Sequence, residues 1–315
     1  MPTKGYGSFL KEFKIGALAP EAMDRSKMTG FLFALAAFVT WGILPIYWKL
    51  LKEASPLEIL SHRIVWSFLF VLIILYWRKR PLPWKGLKRK DLLLLLLTGF
   101  LVGANWFIYI MAVNSDRILE ASMGYYINPL LSIMLGMIVL KERLDKLKIA
   151  GFVLAIIGVL YITVDYGKLP WIALSLATLF ATYGLLKKMS KVEPMQALGM
   201  EVLYLSPLAL GFILFIGGSG EGHFIAGGIV ATLLLAFAGV VTTLPLYWFA
   251  EGARRIDLSS VGFMQFIAPS MGIVIGVFIY GEDFTTTHLV SFGCIWIALA
   301  LYSISLVREF RTLKG

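Results

Sequence analysis

Ten apolar stretches alternate with short charged or turn-forming segments along this chain, and each is long enough to cross a lipid bilayer. A membrane-spanning helix needs about 20 mostly apolar residues, whereas the separators collect lysine, arginine, glycine and proline. The pattern predicts an all-α integral membrane protein whose ten transmembrane helices cover residues 31–51, 56–77, 91–112, 118–140, 147–164, 170–186, 195–216, 226–250, 257–280 and 284–307.

The composition is that of a membrane protein and not of a soluble domain. Apolar residues make up 59% of the 315 positions, charged residues only 15%, and the mean hydropathy is +0.81. Ten spans use roughly 200 residues. Only short connections remain, so no extramembrane catalytic domain is expected.

The basic residues are distributed unevenly between the two ends of the predicted bundle. The formal net charge is +10, and when successive loops are assigned to alternate sides, 24 of the 29 lysines and arginines fall on the side of the N-terminus. The positive-inside rule then predicts a multi-pass protein of the cytoplasmic (inner) membrane with cytoplasmic tails at residues 1–27 and 308–315. The basic excess is therefore a topology signal. We expect the lipid bilayer as a partner and do not expect a nucleic acid.

The second half of the chain repeats the first. A shift of 140 positions aligns three pairs of identical residues without a gap, namely Pro129 with Pro269, Gly136 with Gly276 and Glu142 with Glu282. We place the repeats at residues 28–166 and 167–307, each with five spans, and an odd number of spans turns the second repeat upside down. Such inverted repeats are typical of carriers whose central site opens alternately to either side, although some channels share them.

Several stretches between residues 28 and 307 carry a resemblance to a known family. They are Trp41-Gly42 with Pro45, Tyr47 and Lys49; Glu58 to Ser67; Asn105-Trp106 through Asn114; Ala121 to Leu130; Lys141 to Leu144; Pro245 to Phe249; and Pro269-Ser270. Together they resemble the RarD branch of the EamA-type drug/metabolite transporter (DMT) superfamily. The resemblance implies a ten-helix carrier or exporter, in a branch named for an association with chloramphenicol sensitivity. Lys148 departs from it, because the wider superfamily leads us to expect an uncharged polar residue there.

Two ionisable residues lie within the predicted spans and need a reason to be there. Arg63 lies in span 2 and Glu201 in span 7, at positions that a shift of 138 makes equivalent. A charge at the centre of a bilayer costs about 2.5 to 3.5 kcal/mol on insertion scales, so such residues are functional candidates. We predict that the two form an ion pair or line a shared polar cavity. The alternative is that both lie near helix ends and reach opposite interfaces.

Glu58, His62 and Trp66 follow one another at helical spacing and share one face of span 2, beside Arg63. A protonatable histidine next to a carboxylate is suited to couple solute movement to a proton gradient. The alternative is a capping carboxylate after Pro56 and a histidine satisfied by a backbone carbonyl.

Polar and small residues mark the spans that we expect to flank a central site. Asn105 and Tyr109 share a face of span 3. In spans 4 and 9 a mid-span proline is predicted to break the helix beside polar and glycine residues, and these are Gly124, Asn128 and Pro129, then Gly262, Gln265 and Pro269. The alternative is ordinary packing of small residues with polar side chains as glue.

Aromatic residues, at 14% of the chain, supply further candidates for contact with a solute. Tyr47 and Trp248 are included among them, and Trp41 and Tyr125 lie deep enough to stack on an aromatic or amphipathic solute. Those near span ends are equally suited to an interfacial belt.

No reactive cluster suggests an enzyme. The chain has three histidines, His62, His223 and His288, far apart in sequence, and one cysteine, Cys294, so neither a metal site nor a cofactor is predicted. The expected function is therefore a transporter of a small metabolite or drug-like solute, with protons as a possible coupling ion. A carrier or flippase of a lipid or lipid-linked headgroup is the first alternative, and a channel is the second.

Overall fold

A computed structural model describes residues 20–83, 87–114, 118–167, 170–280 and 285–312, and within them the chain forms eleven helices and no strand. The helices are α1 (Pro20–Lys49), α2 (Pro56–Trp77), α3 (Arg89–Asn114), α4 (Ile118–Ile138), α5 (Lys146–Tyr166), α6 (Trp171–Met189), α7 (Pro194–Ser219), α8 (Gly228–Arg255), α9 (Leu258–Gln265), α10 (Ile267–Tyr280) and α11 (Thr286–Thr312).

The helices reproduce the ten predicted spans. Nine segments of the described chain are long and apolar enough to cross a membrane, α9 and α10 together forming one of them, and α4 contributes a shorter apolar stretch, Met123–Ile138. The all-α membrane fold class is thus confirmed. Helix α1 begins at Pro20 and α11 ends at Thr312, so both terminal helices extend into segments predicted as tails.

The ninth span is broken, as its proline predicted. Proline has no backbone N–H and clashes with the carbonyl four residues earlier, which here belongs to Gln265, the last residue of α9. The Tyr126 hydroxyl donates to the carbonyl of Pro269 at 3.5 Å and so ties the start of α10 to α4. Pro129 behaves differently, because α4 continues through it without a break. Span 4 is therefore not divided into two helices at Pro129.

Local capping explains where several helices begin and end. The Ser55 hydroxyl accepts from the N–H of Glu58 at the start of α2, and the Asp145 carboxylate accepts from the N–H of Lys148 at 2.9 Å at the start of α5. Burial alone would raise the pKa of Asp145, but hydrogen bonds from Ser305 and Lys148 hold this pKa below its ordinary value. Gly167 ends α5 at a φ of 71°, a conformation that glycine adopts without strain.

Ion pairs join the ends of several helices. Lys27 and Lys148 both form ion pairs with Glu309, each at 3.1 Å, and Arg78 lies 3.9 Å from Glu193. These contacts bring the start of α1, the end of α11 and three of the basic loops to one end of the bundle, which we call the basic end. The other end, called the opposite end, contains the α1–α2 and α7–α8 connections.

The helices of the first half pack in the same pattern as their counterparts in the second half. Helix α2 packs on α7, α4 on α9, and α5 on α11, each helix against its own counterpart. The pairing of α1 with α8 is matched by that of α6 with α3, and the pairing of α4 with α6 by that of α10 with α1. This pattern is that of two five-helix repeats related by an approximate two-fold axis, and the odd number of helices per repeat makes them inverted.

Candidate functional site

Arg63 lies among aromatic rings in the part of the bundle nearer the opposite end. Its guanidinium carbon is 4.7 Å from the ring centre of Trp48 on α1 and 5.0 Å from that of Trp106 on α3. Its Nε donates to the Thr242 hydroxyl on α8 at 3.0 Å. Four helices therefore position this one cation, and two of its neighbours attract it through their ring faces.

Three tyrosines complete the surroundings of Arg63. Tyr47, Tyr109 and Tyr125 all interact electrostatically with the guanidinium, and the rings of Tyr109 and Tyr125 meet edge to face at 6.0 Å. We call Arg63 with these surrounding residues the Arg63 cluster, which comprises Tyr47, Trp48, Arg63, Trp106, Tyr109, Tyr125 and Thr242.

The charge of the Arg63 cluster is not balanced. Among the described residues no carboxylate forms an ion pair with Arg63. Cation–π contacts stabilise a cation by about 0.5 to 2 kcal/mol each. An intramembrane charge costs about 2.5 to 3.5 kcal/mol, so the two ring contacts offset much of this cost. Such contacts leave the net charge at this place positive.

Several residues of the Arg63 cluster are partly exposed. Tyr125 is 49% exposed, and Arg63, Trp48 and Tyr109 are half-buried. The residues come from α1 to α4, and their partial exposure distinguishes this cluster from a fully buried one. Tyr47, Tyr109 and Tyr125 were predicted as pathway residues, and the fold brings them together around Arg63.

A second polar cluster surrounds Glu201 and is closed to solvent. The Glu201 carboxylate accepts from Lys187 Nζ at 2.9 Å, from the Thr98 hydroxyl at 2.6 Å and from the Tyr183 hydroxyl at 3.1 Å. Glu201 is 0% exposed and Lys187 is 3% exposed. We call Thr98, Tyr183, Lys187 and Glu201 the Glu201 cluster.

The predicted ion pair between Arg63 and Glu201 does not form. Glu201 is paired with Lys187 and Arg63 is bound to Thr242. Nor does Glu201 reach an interface, because it is fully buried. The prediction missed Lys187, which it assigned to a loop although α6 continues to Met189. The available signal was its position four residues after Tyr183, on the same helix face.

An aromatic plug lies between the two clusters. The ring of Trp41 packs against Phe38, Phe180 and Phe249 at 5.5 to 5.7 Å, and Phe249 stacks on Tyr183. These five residues form the plug. Trp41 was predicted to stack on a solute, and in this structure its ring contacts other rings of the protein.

The plug and the Arg63 cluster lie on the same helix faces. Trp48 follows Trp41 by seven residues on α1, and Thr242 precedes Phe249 by seven residues on the antiparallel α8. Seven residues are about two helical turns, or roughly 10 Å along the axis. The Arg63 cluster thus lies about that distance further toward the opposite end.

Glu58 and His62 have separate partners. The buried carboxylate of Glu58 accepts from the backbone N–H of His223 and of Phe224, and it lies 3.0 Å from the His223 ring nitrogen. His62 Nδ1 accepts from the Trp66 indole at 3.1 Å while its ring stacks on Phe224. The carboxylate therefore binds the α7–α8 connection and not the neighbouring histidine.

Polar and small residues predicted on spans 3, 4 and 9 lie at helix contacts. Asn105 Nδ2 donates to the carbonyl of Leu176 at 3.0 Å, and the Ser132 hydroxyl donates to Gln265 Oε1 at 3.0 Å. A side chain at Gly262 would come within 2.8 Å of the Pro129 carbonyl, which keeps α4 and α9 in close contact.

The remaining candidates also pack against neighbouring helices. Gly124 allows α4 to approach Ala173 and Leu176 on α6, and Trp248 packs on the main hydrophobic core. Two buried amide atoms, Asn128 Oδ1 and Gln265 Nε2, have no hydrogen-bond partner among the described residues.

The basic end is closed by a contact between the two halves. The Glu142 carboxylate accepts from the N–H groups of Leu258 and Ser259 at 2.7 and 2.8 Å, and from the Ser259 hydroxyl at 2.8 Å. Lys188 lies 3.9 Å from this carboxylate and donates to carbonyls at the end of α8. The carboxylate thus holds the α4–α5 connection to the first turn of α9. Its repeat counterpart, Glu282, lies outside the described residues.

Comparisons with known proteins agree on one family. The model of the EamA-like transporter family matches the chain twice, at residues 28–164 and 169–304. The chain is 43% identical over 291 residues to the uncharacterized transporter YojE of Bacillus subtilis, covering 91% of this chain and 97% of that one. It is 42% identical over 278 residues to protein RarD of Salmonella typhi, covering 87% and 94%.

The fold is also similar to that of a solved protein. A crystal structure that is 17% identical in sequence superposes with a TM-score of 0.66, over 89% of this chain and 98% of the other. At this low identity the likeness concerns the fold alone.

Proposed function

Because this chain belongs to the RarD branch of the EamA-like transporter family, we propose that it carries a small solute across the cytoplasmic membrane by alternating access. The two repeats move relative to each other around the Arg63 cluster, and the basic end faces the cytoplasm. The solute passes between α1 to α4 and their counterparts in the second half.

The observation that carries this proposal is the closure of the basic end by a contact between the two repeats. Glu142 belongs to the first repeat, and the N–H groups that it binds at Leu258 and Ser259 belong to the second. In contrast, several residues of the Arg63 cluster are partly exposed. The Arg63 cluster is thus accessible while a contact between the repeats closes the basic end. A rocking motion of the two repeats would open the basic end and close the opposite end.

A cross-link across the basic end tests the motion. A side chain at Gly252 on α8 would place its Cβ 3.1 Å from that of Ala34 on α1. Disulfides have Cβ atoms roughly 3.5 to 4.5 Å apart, so the two helices must separate by a few tenths of an ångström for the bond to form. In a Cys294→Ala background, Ala34→Cys with Gly252→Cys should form a disulfide on oxidation. Proteoliposomes are then assayed for uptake of phenylalanine, 3-phenylpropionate, phenethylamine and chloramphenicol.

Oxidation is expected to abolish transport of the accepted solute, and reduction should restore it in the same vesicles. Each single-cysteine variant, treated with the same oxidant, is the control. Unlabelled solute inside the vesicles should accelerate uptake of labelled solute, which a carrier shows and a channel does not. Undiminished transport in the fully cross-linked protein would refute alternating access at this end, and transfer of labelled phospholipid alone would favour the lipid carrier.

A further inference from the structure

The guanidinium of Arg63 retains unused capacity to bind. It offers five N–H groups, of which Nε–H is bound to Thr242, and the other four have no hydrogen-bond partner among the described residues. The rings of Trp48 and Trp106 interact with the guanidinium through their faces. Ring faces attract a cation but accept no strong hydrogen bond, so the edge that carries these N–H groups is still available to an acceptor.

The acceptor that best matches this edge is an anion with two oxygens. Carboxylate and phosphate groups bind the planar fork of arginine through two parallel hydrogen bonds. The hydroxyls of Tyr109 and Tyr125 lie in the electrostatic range of the same guanidinium, and both can donate to the same anion. The Tyr47 hydroxyl already donates to the carbonyl of Leu234. A cation would be repelled here, and a neutral group would gain only ordinary hydrogen bonds.

The walls of the cluster define the rest of the ligand. Four aromatic side chains, those of Trp48, Trp106, Tyr109 and Tyr125, come from three helices and surround the cation. Flat aromatic surfaces pack well on other aromatic or apolar surfaces. The ligand should therefore combine the anionic group with an aromatic or flat apolar body.

The Glu201 cluster shows that this fold is able to balance a charge at the equivalent position. There Lys187 neutralises Glu201 at 2.9 Å inside the protein. The absence of such a partner among the described residues around Arg63 is therefore a local property of the Arg63 cluster. A missing counter-charge in an accessible site is what a ligand of opposite charge would supply.

We infer that the Arg63 cluster is an anion-binding subsite, and that the transported solute is a small carboxylate or phosphate with an aromatic or flat apolar body. This inference rests on the proposed transport function. The same anionic chemistry occurs in a free solute and in a phospholipid headgroup, and the test must separate these two sources.

Binding to the purified full-length protein in detergent tests the subsite without requiring transport. Isothermal titration compares 3-phenylpropionate with the neutral 3-phenylpropionamide, which has the same shape. We expect the carboxylate to bind at least about ten-fold more tightly, since charge-assisted hydrogen bonds are roughly twice as strong as neutral ones. Arg63→Gln should reduce the ratio of the two affinities to near one, and Arg63→Lys should keep part of it.

Arg78→Gln is the matched control. Arg78 also lies over an aromatic ring, that of Tyr247 at 5.5 Å, but it is near the basic end and has Glu193 as a partner. Its removal should leave the affinity ratio unchanged. Where Arg63→Gln fails to fold, Thr242→Val removes only the Nε acceptor and should lower the ratio several-fold.

The source of the anion is separated in nanodiscs. Phosphatidylglycerol that competes with 3-phenylpropionate in the wild-type protein but has no effect in Arg63→Gln would identify a headgroup as an occupant of the same subsite.

Three results would overturn the inference. They are equal affinity for the acid and the amide in wild-type protein, no binding of either, and an unchanged affinity ratio in Arg63→Gln. Vesicles that take up a neutral or cationic solute while the protein ignores the acid would refute the subsite and leave the carrier intact. A protein that binds the acid through Arg63 but moves no solute would refute the carrier alone.

Discussion

The Arg63 and Glu201 clusters occupy equivalent places in the two repeats and differ in whether their charge is balanced. Glu201 accepts hydrogen bonds from three side chains, one of them cationic, and the whole group is buried. Arg63 has one hydrogen bond and two aromatic faces, and it is only half-buried. An approximate two-fold axis thus repeats the helices without repeating the chemistry.

The difference separates a structural element from a binding element. A buried ion pair with all its partners present holds α3, α6 and α7 in one arrangement, and removal of one partner is costly. A charge without a counter-charge contributes less to stability, and inside a membrane protein it is a candidate for an interaction that forms and breaks. Substitutions in the two clusters should therefore affect different quantities.

The largest expected effect is on stability when the Glu201 ion pair is broken. Lys187→Met leaves the Glu201 carboxylate buried without its cation and should lower the free energy of unfolding by about 3 to 5 kcal/mol. Unfolding in detergent with increasing dodecyl sulfate measures it. The double variant Lys187→Met with Glu201→Leu should recover most of the loss.

The exposed pair of Lys52 and Glu53, 3.8 Å apart, supplies the control for that experiment. Lys52→Met should cost less than about 1 kcal/mol, because solvent screens this pair. Similar losses in Lys187→Met and Lys52→Met would mean that the Glu201 ion pair is not the structural element proposed.

A smaller effect is expected from single hydroxyl groups in the two clusters. Tyr183→Phe removes a donor to the buried Glu201 carboxylate and should cost about 1.5 to 3 kcal/mol. Tyr109→Phe should cost less than about 1 kcal/mol, because the hydroxyl of the half-buried Tyr109 donates to no buried carboxylate among the described residues. Equal losses measured by the same unfolding assay would contradict the distinction between the clusters.

Removal of the unpaired cation should hardly change stability. Arg63→Met replaces a charge without a counter-charge by an apolar side chain, so the free energy of unfolding is expected to stay within about 1 kcal/mol of wild type or to rise. Uptake of 3-phenylpropionate into proteoliposomes should nevertheless fall at least about ten-fold, because the carboxylate loses a charge-assisted hydrogen bond. A stability loss as large as that of Lys187→Met would show that Arg63 has a counter-charge.

The smallest effect is expected at His62. Its ring is buried against Phe224 and accepts from Trp66, and the neighbouring Glu58 is engaged with His223. His62→Gln should leave the response of transport to an imposed pH gradient unchanged. If that response disappears while solute binding persists, His62 is the proton-coupling group that its place beside Glu58 suggested.

Two pairs of residues show where the repeat could and could not guide prediction. Pro129 and Pro269 align without a gap, yet only the second lies at a helix break, where contacts from Tyr126 and Ser132 hold the interrupted turn. Arg63 and Glu201 align as well, and their opposite charges suggested a direct pair. The chemical type of a residue determines which groups it is able to bind. Which of these groups becomes its partner depends on the helix that packs against it.

The sequence by itself determined the spans, the alternation of their direction and the presence of two repeats. A bilayer requires each segment to satisfy its backbone hydrogen bonds internally and to present apolar side chains to lipid, so hydropathy and charge already encode these properties along the chain. Only the tertiary structure decided that Lys187 neutralises Glu201 and that aromatic rings surround Arg63. Those contacts depend on the rotation of each helix about its own axis, which is set by packing against several other helices at once.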